Sequence, residues 1–301
     1  MTAELALLAT LDGVAYAALI FMVSVGLTMI FGVLRILNVA HGSFYAIGGY
    51  TAASLGIGIA AAGISPWLTL PALLLSAALV GGILGLVIER FLLRRIYAKE
   101  EVLQLLVTFA VFMMLEDVQR LVWGVQPYFA DTPLALLGNT EVAGVFYTRY
   151  QIMLLPAAAL TVLIGLRWFM RRTLQGKLIL AVTEDREAAT AMGIDANKVY
   201  LMTFVIGACF AALGGALASP TTSLLPGIGS EMIVLSFAVV ATAGLGQIEG
   251  TALTALMIGL ARAFAVYTYP ELEVLTPYLI MVLVLLVRPQ GLFGVAEQRR
   301  I

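Results

Sequence analysis

The chain has 301 residues, of which 61% are hydrophobic and only 12% charged, and its mean hydropathy is +1.02. A soluble domain of this size has roughly a quarter charged residues and too little interior to bury so much apolar surface. The net charge of −1 offers no basic surface for nucleic acid, and Cys209, the only cysteine, rules out a disulfide scaffold. The composition indicates a polytopic helical membrane protein.

Apolar segments of about 20 residues, the length that crosses the hydrocarbon core, recur along the whole chain. They predict an all-α fold with eight to ten transmembrane helices, some broken or re-entrant, in a single transmembrane domain over residues 1–301. The predicted spans are 12–34, 39–61, 66–89, 102–123, 151–170, 199–219, 231–248, 251–269 and 275–288.

Lysine and arginine predict the orientation of these spans, because they concentrate in cytoplasmic loops. All but three of the 17 cationic residues fall on one side if the basic clusters within 90–99, 167–198 and 288–300 are cytoplasmic. The N-terminus is then outside and the C-terminus inside. Two long loops result, one outside over 124–150 and one in the cytoplasm over 171–198.

Polar residues concentrate after the first span, in the sequence GLTMIFGVLRILNVAHGSFYAIGGY at 26–50. Asn38, His41 and Tyr45 are spaced i, i+3 and i+7, which predicts one shared helix face. Polar groups in a membrane find partners or line a cavity. The candidate translocation-pathway residues here are Asn38, His41, Gly42, Ser43 and Tyr45.

His41 is the only histidine of the chain. A capping or packing role near the cytoplasmic interface is the main alternative to substrate contact. A proton relay is a further alternative, since histidine titrates near neutrality. A metal site is not predicted, because no second histidine or cysteine exists to complete one.

Glu116 and Arg120, four residues apart in the fourth span, predict a local ion pair. Arg262 lies within the eighth span, where an unpaired charge costs about 2.5–3.5 kcal/mol. Its predicted partners are Glu231, the C-terminus of a broken helix or a substrate carboxylate. Arg262 is therefore a candidate pathway residue.

The cytoplasmic loop over 171–198 carries a predicted short helix. Thr183 suits the N-cap, acidic residues follow in the first turn, and Gly193 suits the C′ position. A helix with one small apolar side and one charged side favours a groove on a partner protein, although an ordinary amphipathic loop helix is the alternative. The candidate coupling residues are Glu184, Asp185, Glu187, Ala188, Ala189 and Gly193.

A second glycine-rich stretch, EMIVLSFAVVATAGLGQIEGT, occupies 231–251. Its glycines predict a helix interrupted at membrane depth, as occurs beside cavities and protein contacts. Residues 37–43 can be laid over 245–251 as a weak internal repeat, whose alternative is two similar glycine turns. The candidate pathway residues here are Gly244, Gly246, Gln247 and Glu249.

Two glycine-containing segments in the second half of the chain do not match the known nucleotide-binding motifs. GLGQIEG has the spacing GxGxxxG with no preceding Rossmann strand, and the segment QGKL at 175–178 lacks the upstream glycine and the Ser or Thr of a Walker A motif. The chain is therefore predicted to hydrolyse no ATP and to hold no cofactor.

Several of these motifs resemble those of a known family. Glu187-Ala188-Ala189 followed by Gly193 is similar to the EAA---G signature of ABC importer permeases, although that class's downstream Leu-Pro or Ile-Pro element is missing. The segment at 26–50 resembles the signature of branched-chain amino-acid ABC permeases of the LivH type. So do VLSFAVVATAGLGQIEGTALTALMIG and RPQGLFG later in the chain, and the resemblance covers nearly all of it.

The resemblance implies a permease subunit of an importer for branched-chain or other small apolar amino acids, in a bacterial cytoplasmic membrane. It implies a second homologous permease and two cytoplasmic ATPases that bind ATP and Mg²⁺. It also implies an extracytoplasmic binding protein that docks at outer loops including 124–150. The loop at 171–198 would form the coupling helix on the ATPase, and the pathway would run between the permeases. Membrane lipid surrounds such a chain, and nucleic acid is not an expected partner.

Other functions stay open at this stage. Relatives of the family also carry urea, amides and small organic acids. A stand-alone secondary transporter or channel would account for the spans, His41 and Arg262 but not for the loop helix. An intramembrane enzyme would need a second catalytic group beside the lone histidine.

Overall fold

The computed structural model describes residues 2–294, most of which are helical. The elements in chain order are α1 (Ala3–Leu34), α2 (His41–Ala61), α3 (Thr69–Phe91), α4 (Glu101–Trp123), α5 (Thr132–Leu137), β1 (Asn139–Val142), β2 (Val145–Thr148), α6 (Leu155–Arg172), α7 (Leu174–Glu184), α8 (Arg186–Ala191), α9 (Ala196–Ala218), α10 (Ile228–Ala243), α11 (Ile248–Thr268) and α12 (Leu275–Val287). Arg299 and Arg300 of the third basic cluster lie outside the described residues.

The helices agree in number and type with the predicted membrane domain. Six are long and apolar enough to cross a membrane: α1, α2, α3, α6, α9 and α11, with short 3-10 or π-helical turns extending α3 and α6. The helices α10 and α12 are shorter and apolar, and α4, with its 23 residues, is about 35 Å long. These nine segments confirm an α-helical polytopic fold.

Two predicted span boundaries are wrong. The first helix begins at Ala3, well before position 12, because apolar and helix-forming residues extend to the N-terminus. The seventh helix ends at Ala243 and does not reach 248. Gly244 and Gly246 have φ of +101° and +84°, a conformation that a helix cannot contain, so they form the turn between α10 and α11.

The outer loop contains structure that the pattern of turn-forming residues did not predict. β1 and β2 form an antiparallel hairpin in which Asn139 pairs with Thr148 and Val142 with Val145. The two turn residues, Ala143 and Gly144, both have positive φ, as a tight two-residue hairpin requires. The all-α prediction therefore omits one small two-stranded sheet.

The centre of the molecule is α1, which packs between α9 and α11. In turn, α9 packs against α2 and α3. Small residues allow these close approaches: a Cβ on Gly26 of α1 would collide with the carbonyl oxygen of Gly207 on α9. Few residues of α4, α6 and α12 are buried, and their large apolar side chains face outward. This is the exterior expected for a protein surrounded by lipid.

Candidate translocation and coupling sites

The linker between α1 and α2 separates Asn38 from the residues with which it was predicted to share a helix face. Arg35 has a left-handed φ of +54° and ends α1, and α2 begins only at His41. Asn38 lies in the linker, where its carbonyl oxygen accepts a hydrogen bond from the N–H of His41 at 3.2 Å. Only His41 and Tyr45 lie one turn apart on the same helix.

His41 is fully buried against α1. Its Nε2 donates to the carbonyl oxygen of Val23 at 2.9 Å, and its ring meets Phe44 edge-on, with the ring centres 6.2 Å apart. Val23 lies 11 residues before the end of α1, which is about 16 Å along the helix axis. His41 therefore packs well inside the bundle and fixes the start of α2 against the middle of α1.

The linker and the start of α2 contain buried polar atoms that lack a partner. Among the described residues, both side-chain amide atoms of Asn38, Nδ1 of His41 and Oγ of Ser43 accept or donate no hydrogen bond within the protein. All three side chains are inaccessible to solvent. Buried polar groups are nearly always satisfied, so such a group in a membrane helix bundle calls for a role.

Gly42 serves close helix packing. It lies in the first turn of α2, where a Cβ would collide with the carbonyl oxygen of Gly229 and approach the Cβ of Ile233 to 2.9 Å. The helix continues without interruption past Gly42 to Ala61. The tip of α10 therefore touches the tip of α2 directly, backbone against backbone.

The two copies of the weak internal repeat have different surroundings. Gly250, which aligns with Gly42, lies within α11 and contacts Phe293, while Gly42 contacts α10. Gln247 occupies the N-cap of α11 without a side-chain capping bond. Both copies begin a helix, but Gly42 and Gly250 pack against different elements.

Glu249 lies at the surface, between two arginines of α6. Its Oε1 is 3.2 Å from Arg167 and 3.3 Å from Arg171, and its side chain is 55% exposed. Glu249 is thus exposed, whereas His41 is buried. The predicted Glu116–Arg120 pair is confirmed at 2.5 Å.

The ion-pair partner of Arg262 is a residue that the sequence analysis did not name. It forms an ion pair with Glu273, and its guanidinium lies 3.8 Å from the ring centre of Tyr16 on α1. Glu231, one of the three partners considered for Arg262, does not form this ion pair. The chain reverses after α11, and the turn following it brings Glu273 back beside Arg262.

Asp12, which the sequence analysis did not single out, joins the outer hairpin to two membrane helices. Its Oδ2 accepts hydrogen bonds from Tyr267 of α11 at 2.6 Å and from Tyr147 of β2 at 3.3 Å. Burial raises the pKa of Tyr147, which keeps its hydroxyl a donor. An acidic residue inside a predicted span is the signal that could have indicated this cluster.

The cytoplasmic loop contains two helices, α7 and α8. Thr183 is not an N-cap as predicted: it lies inside α7, and its hydroxyl donates to the carbonyl oxygen of Ile179. Glu184 is the last residue of α7. Asp185 caps α8 by accepting the N–H of Ala188 at 2.9 Å. The two acidic residues therefore stand two positions earlier in the capping pattern than expected.

One side of α8 is fixed to the membrane domain. Ala189 is buried, and the guanidinium of Arg186 lies 5.2 Å from the ring centre of Tyr200 on α9. Gly193 has φ of +88°, as expected of a C′ glycine, and the N–H of Ile194 closes the helix end on the carbonyl oxygen of Ala189 at 3.1 Å.

The other side of α8 is exposed. Glu187 and Ala188 are exposed, and Glu187 lines a shallow open cleft together with Arg186 and Thr190. The next helix is firmly capped as well: Asp195 accepts the N–H groups of Asn197 and Lys198, and the Lys198 N–H lowers the pKa of that carboxyl. The geometry presents a short helix that is capped at both ends, packed on the membrane domain along one side and exposed along the other.

The chain is similar in sequence to permease proteins of amino acid transport systems and similar in fold to one solved structure. A family model described as "Branched-chain amino acid transport system / permease component" matches residues 9–285. The chain is 27% identical, over 96% of both chains, to the high-affinity branched-chain amino acid transport system permease protein LivH of Escherichia coli (strain K12). It is 25% identical to the permease protein LivM of the same system and organism, over 94% of this chain and 69% of LivM. A solved structure of PsaBC from Streptococcus pneumoniae in complex with Fab has a similar fold, with a TM-score of 0.51 and 13% identity over 93% of this chain and 91% of that one.

Proposed function

Because the chain belongs to the family of branched-chain amino acid transport permease components, we propose that it moves branched-chain or other small apolar amino acids into the cytoplasm. In this proposal it is one permease subunit of an ABC importer in a bacterial cytoplasmic membrane. The energy comes from separate subunits that bind ATP and Mg²⁺, and this chain binds no nucleotide.

The structural observation that supports this proposal most directly is α8. A helix of six residues has little stability of its own, yet α8 is capped at both ends, pinned to α9 on one side and exposed on the other. Such an element can transmit a push or pull without bending. We assign its outer face, with Glu187 and Ala188, to the groove of an ATPase subunit.

The partners follow from the same proposal. Two relatives, LivH and LivM, are named as permease proteins of one transport system in one organism. This supports a pair of two different permease chains, of which the present chain is the LivH-like member. Two ATPases on the cytoplasmic side and a binding protein at the outer loops complete the importer.

The pathway is proposed to pass the linker at 35–40 and the start of α2. Asn38, His41 and Ser43 contribute polar atoms that lack partners among residues 2–294, and an amino acid crossing the membrane offers an ammonium group and a carboxylate. In this proposal, selection among substrates lies mainly with the binding protein.

Purification with the neighbouring gene products tests the proposal. The tagged chain, expressed with its genomic neighbours and extracted in mild detergent, is expected to yield a second permease and two ATPase copies. In proteoliposomes with the binding protein, labelled leucine uptake should require ATP inside. Unlabelled isoleucine and valine should compete, while urea, amides and organic acids should not.

Two results would overturn this assignment. A stable particle containing only this chain, although the neighbours are expressed, would indicate a stand-alone transporter or channel. Uptake that is blocked by urea or an organic acid but not by isoleucine would keep the importer and replace its substrate.

A further inference from the structure

The lipid-facing surface between α6 and α11 carries two clefts that lie end to end. The first, of 380 Å³, is almost wholly apolar, and α1 forms its floor; its walls include Leu160 and Leu163 of α6 and Leu253 and Leu256 of α11. The second, of 280 Å³, is more polar than the first, and its lining includes Arg167 and Arg171 of α6 together with Gln247, Ile248 and Glu249 of α11.

Helix geometry places the two clefts next to each other. Leu163 of the apolar cleft and Arg167 of the polar one are four residues apart on α6, hence one turn along the same face. On α11, Ala252 and Ile248 are related in the same way. The surface is therefore a single slot that is apolar along the membrane helices and cationic at one end.

The charges at the polar end favour an anion. Arg167 and Arg171 both contact Glu249, so two positive charges face one negative charge, and more than half of each arginine side chain is exposed. The N-terminus of α11, which has no side-chain cap, opens on the same cleft and adds its partial positive charge. Each guanidinium has five N–H donors, so donors remain for a phosphate group beside Glu249.

Trp168 marks the depth of this end. It follows Arg167 on α6 and is 62% exposed, and exposed tryptophans concentrate at the level of the lipid headgroups. The basic clusters predict that this end of α6 faces the cytoplasm. The polar cleft thus lies where the headgroup of an inner-leaflet lipid lies, and the apolar cleft where its acyl chain lies.

We propose that this slot between α6 and α11 binds one anionic glycerophospholipid of the inner leaflet, with its phosphate on Arg167 and Arg171 and an acyl chain along Leu163, Leu160 and Leu256. The bound lipid fills the gap between α6, which contacts the bundle sparsely, and the rest of the molecule. The site is independent of the transported substrate and of the proposed function.

Lipid retention tests the proposal. The complex is purified in mild detergent, and its bound phospholipids are quantified by mass spectrometry for the wild type and for the double variant Arg167→Gln/Arg171→Gln. The wild type should be enriched in phosphatidylglycerol over phosphatidylethanolamine relative to the membrane. In the double variant this enrichment should be at least tenfold lower. One arginine near an anionic membrane contributes about fivefold in affinity, and the variant removes two.

Two further variants separate the site from general charge attraction. Arg172→Gln removes the same charge from the same helix end but does not line the cleft, so enrichment should persist. Ala252→Phe fills the apolar cleft and leaves all charges in place, so enrichment should fall. In vesicles, phosphatidylglycerol should raise the thermal unfolding midpoint of the wild type and not of the double variant.

Three outcomes would overturn the proposal. Equal enrichment in the wild type and the double variant would remove the headgroup contact, and equal loss in Arg172→Gln would reduce it to unspecific attraction. A disulfide formed at high yield between a cysteine at Leu160 and one on the second permease would show that a protein subunit, and not a lipid, covers the slot.

Discussion

Single charged residues are accommodated in this apolar chain by pairing them with groups on neighbouring elements. Arg262 meets both Glu273 and the ring of Tyr16, and Asp12 receives two tyrosine hydroxyls. The partners come from distant parts of the sequence or from a chain reversal. Spacing rules within one helix correctly predicted Glu116–Arg120 but could not identify Glu273.

Removing the cation at Arg262 is expected to destabilise the outer end of the bundle. Arg262→Ala would leave Glu273 without its partner and Tyr16 without the cation above its ring. Because the two side chains are 27% and 35% exposed, we expect a loss of about 1–2 kcal/mol, less than for a fully buried pair. Thermal unfolding of the purified complex and its uptake rate measure the effect.

The pair Arg120–Glu116 provides the matched control, because it joins the same residue types four residues apart and Arg120 is 48% exposed. Arg120→Ala should cost less than about 1 kcal/mol. If Arg262→Ala behaves like Arg120→Ala in both assays, then Arg262 only extends towards water and has no part in stability or transport.

The helices themselves were largely predictable from sequence, because apolar runs of sufficient length leave little alternative in a membrane. Their ends were less so. The end of α10 depends on the positive φ of Gly244, and the start of α2 depends on the left-handed Arg35. The sequence shows where glycines and arginines occur but not which backbone dihedral angles they adopt. Asn38 was therefore wrongly placed on the helix that begins at His41.

The same limit applies to the candidate sites. The position of α8, the proposed coupling helix, was predicted to within two or three residues, since Asp185 and Gly193 are strong local end signals. The surroundings of His41 and Glu249 were not predicted, because they depend on which helix packs against each residue. Local signals act through neighbours in sequence, whereas the roles of these two residues are decided by tertiary packing.

The end of α8 provides a direct test of the coupling assignment. Gly193→Ala places a Cβ at φ +88°, which costs roughly 1–2 kcal/mol in the left-handed region. Because Gly193 has open space around it, the change should loosen α8 without disturbing the membrane helices. We expect normal membrane insertion, strongly reduced uptake and ATP hydrolysis that no longer responds to the binding protein.

Gly165→Ala is the control for this variant. Gly165 lies inside α6, also with open space around it but with ordinary helical φ, so alanine there should be neutral or slightly stabilising. Glu187→Lys, which reverses an exposed charge in the first turn of α8 without backbone strain, should also abolish uptake. Wild-type uptake in both Gly193→Ala and Glu187→Lys would remove α8 from the coupling mechanism.

For the molecule as a whole, one asymmetry links the separate proposals. The exposed face of α8 and the cationic end of the slot between α6 and α11 lie on the side that the basic residues assign to the cytoplasm. The hairpin of β1 and β2 and the Asp12 cluster lie at the opposite ends of the same helices. An importer needs this arrangement, with the energy-coupling surface inside and the substrate-delivery surface outside.

Cysteine labelling in intact cells tests this orientation. In a Cys209→Ser background, one variant carries Glu141→Cys on the exposed edge of the hairpin and another carries Glu187→Cys on α8. A membrane-impermeant maleimide should label position 141 from outside and position 187 only after the membrane is opened. The background protein without cysteine gives the blank, and labelling of both after permeabilisation shows that both sites are reachable. The reverse pattern would place α8 outside, where no ATPase can reach it, and would contradict the importer assignment and the inner-leaflet lipid site together.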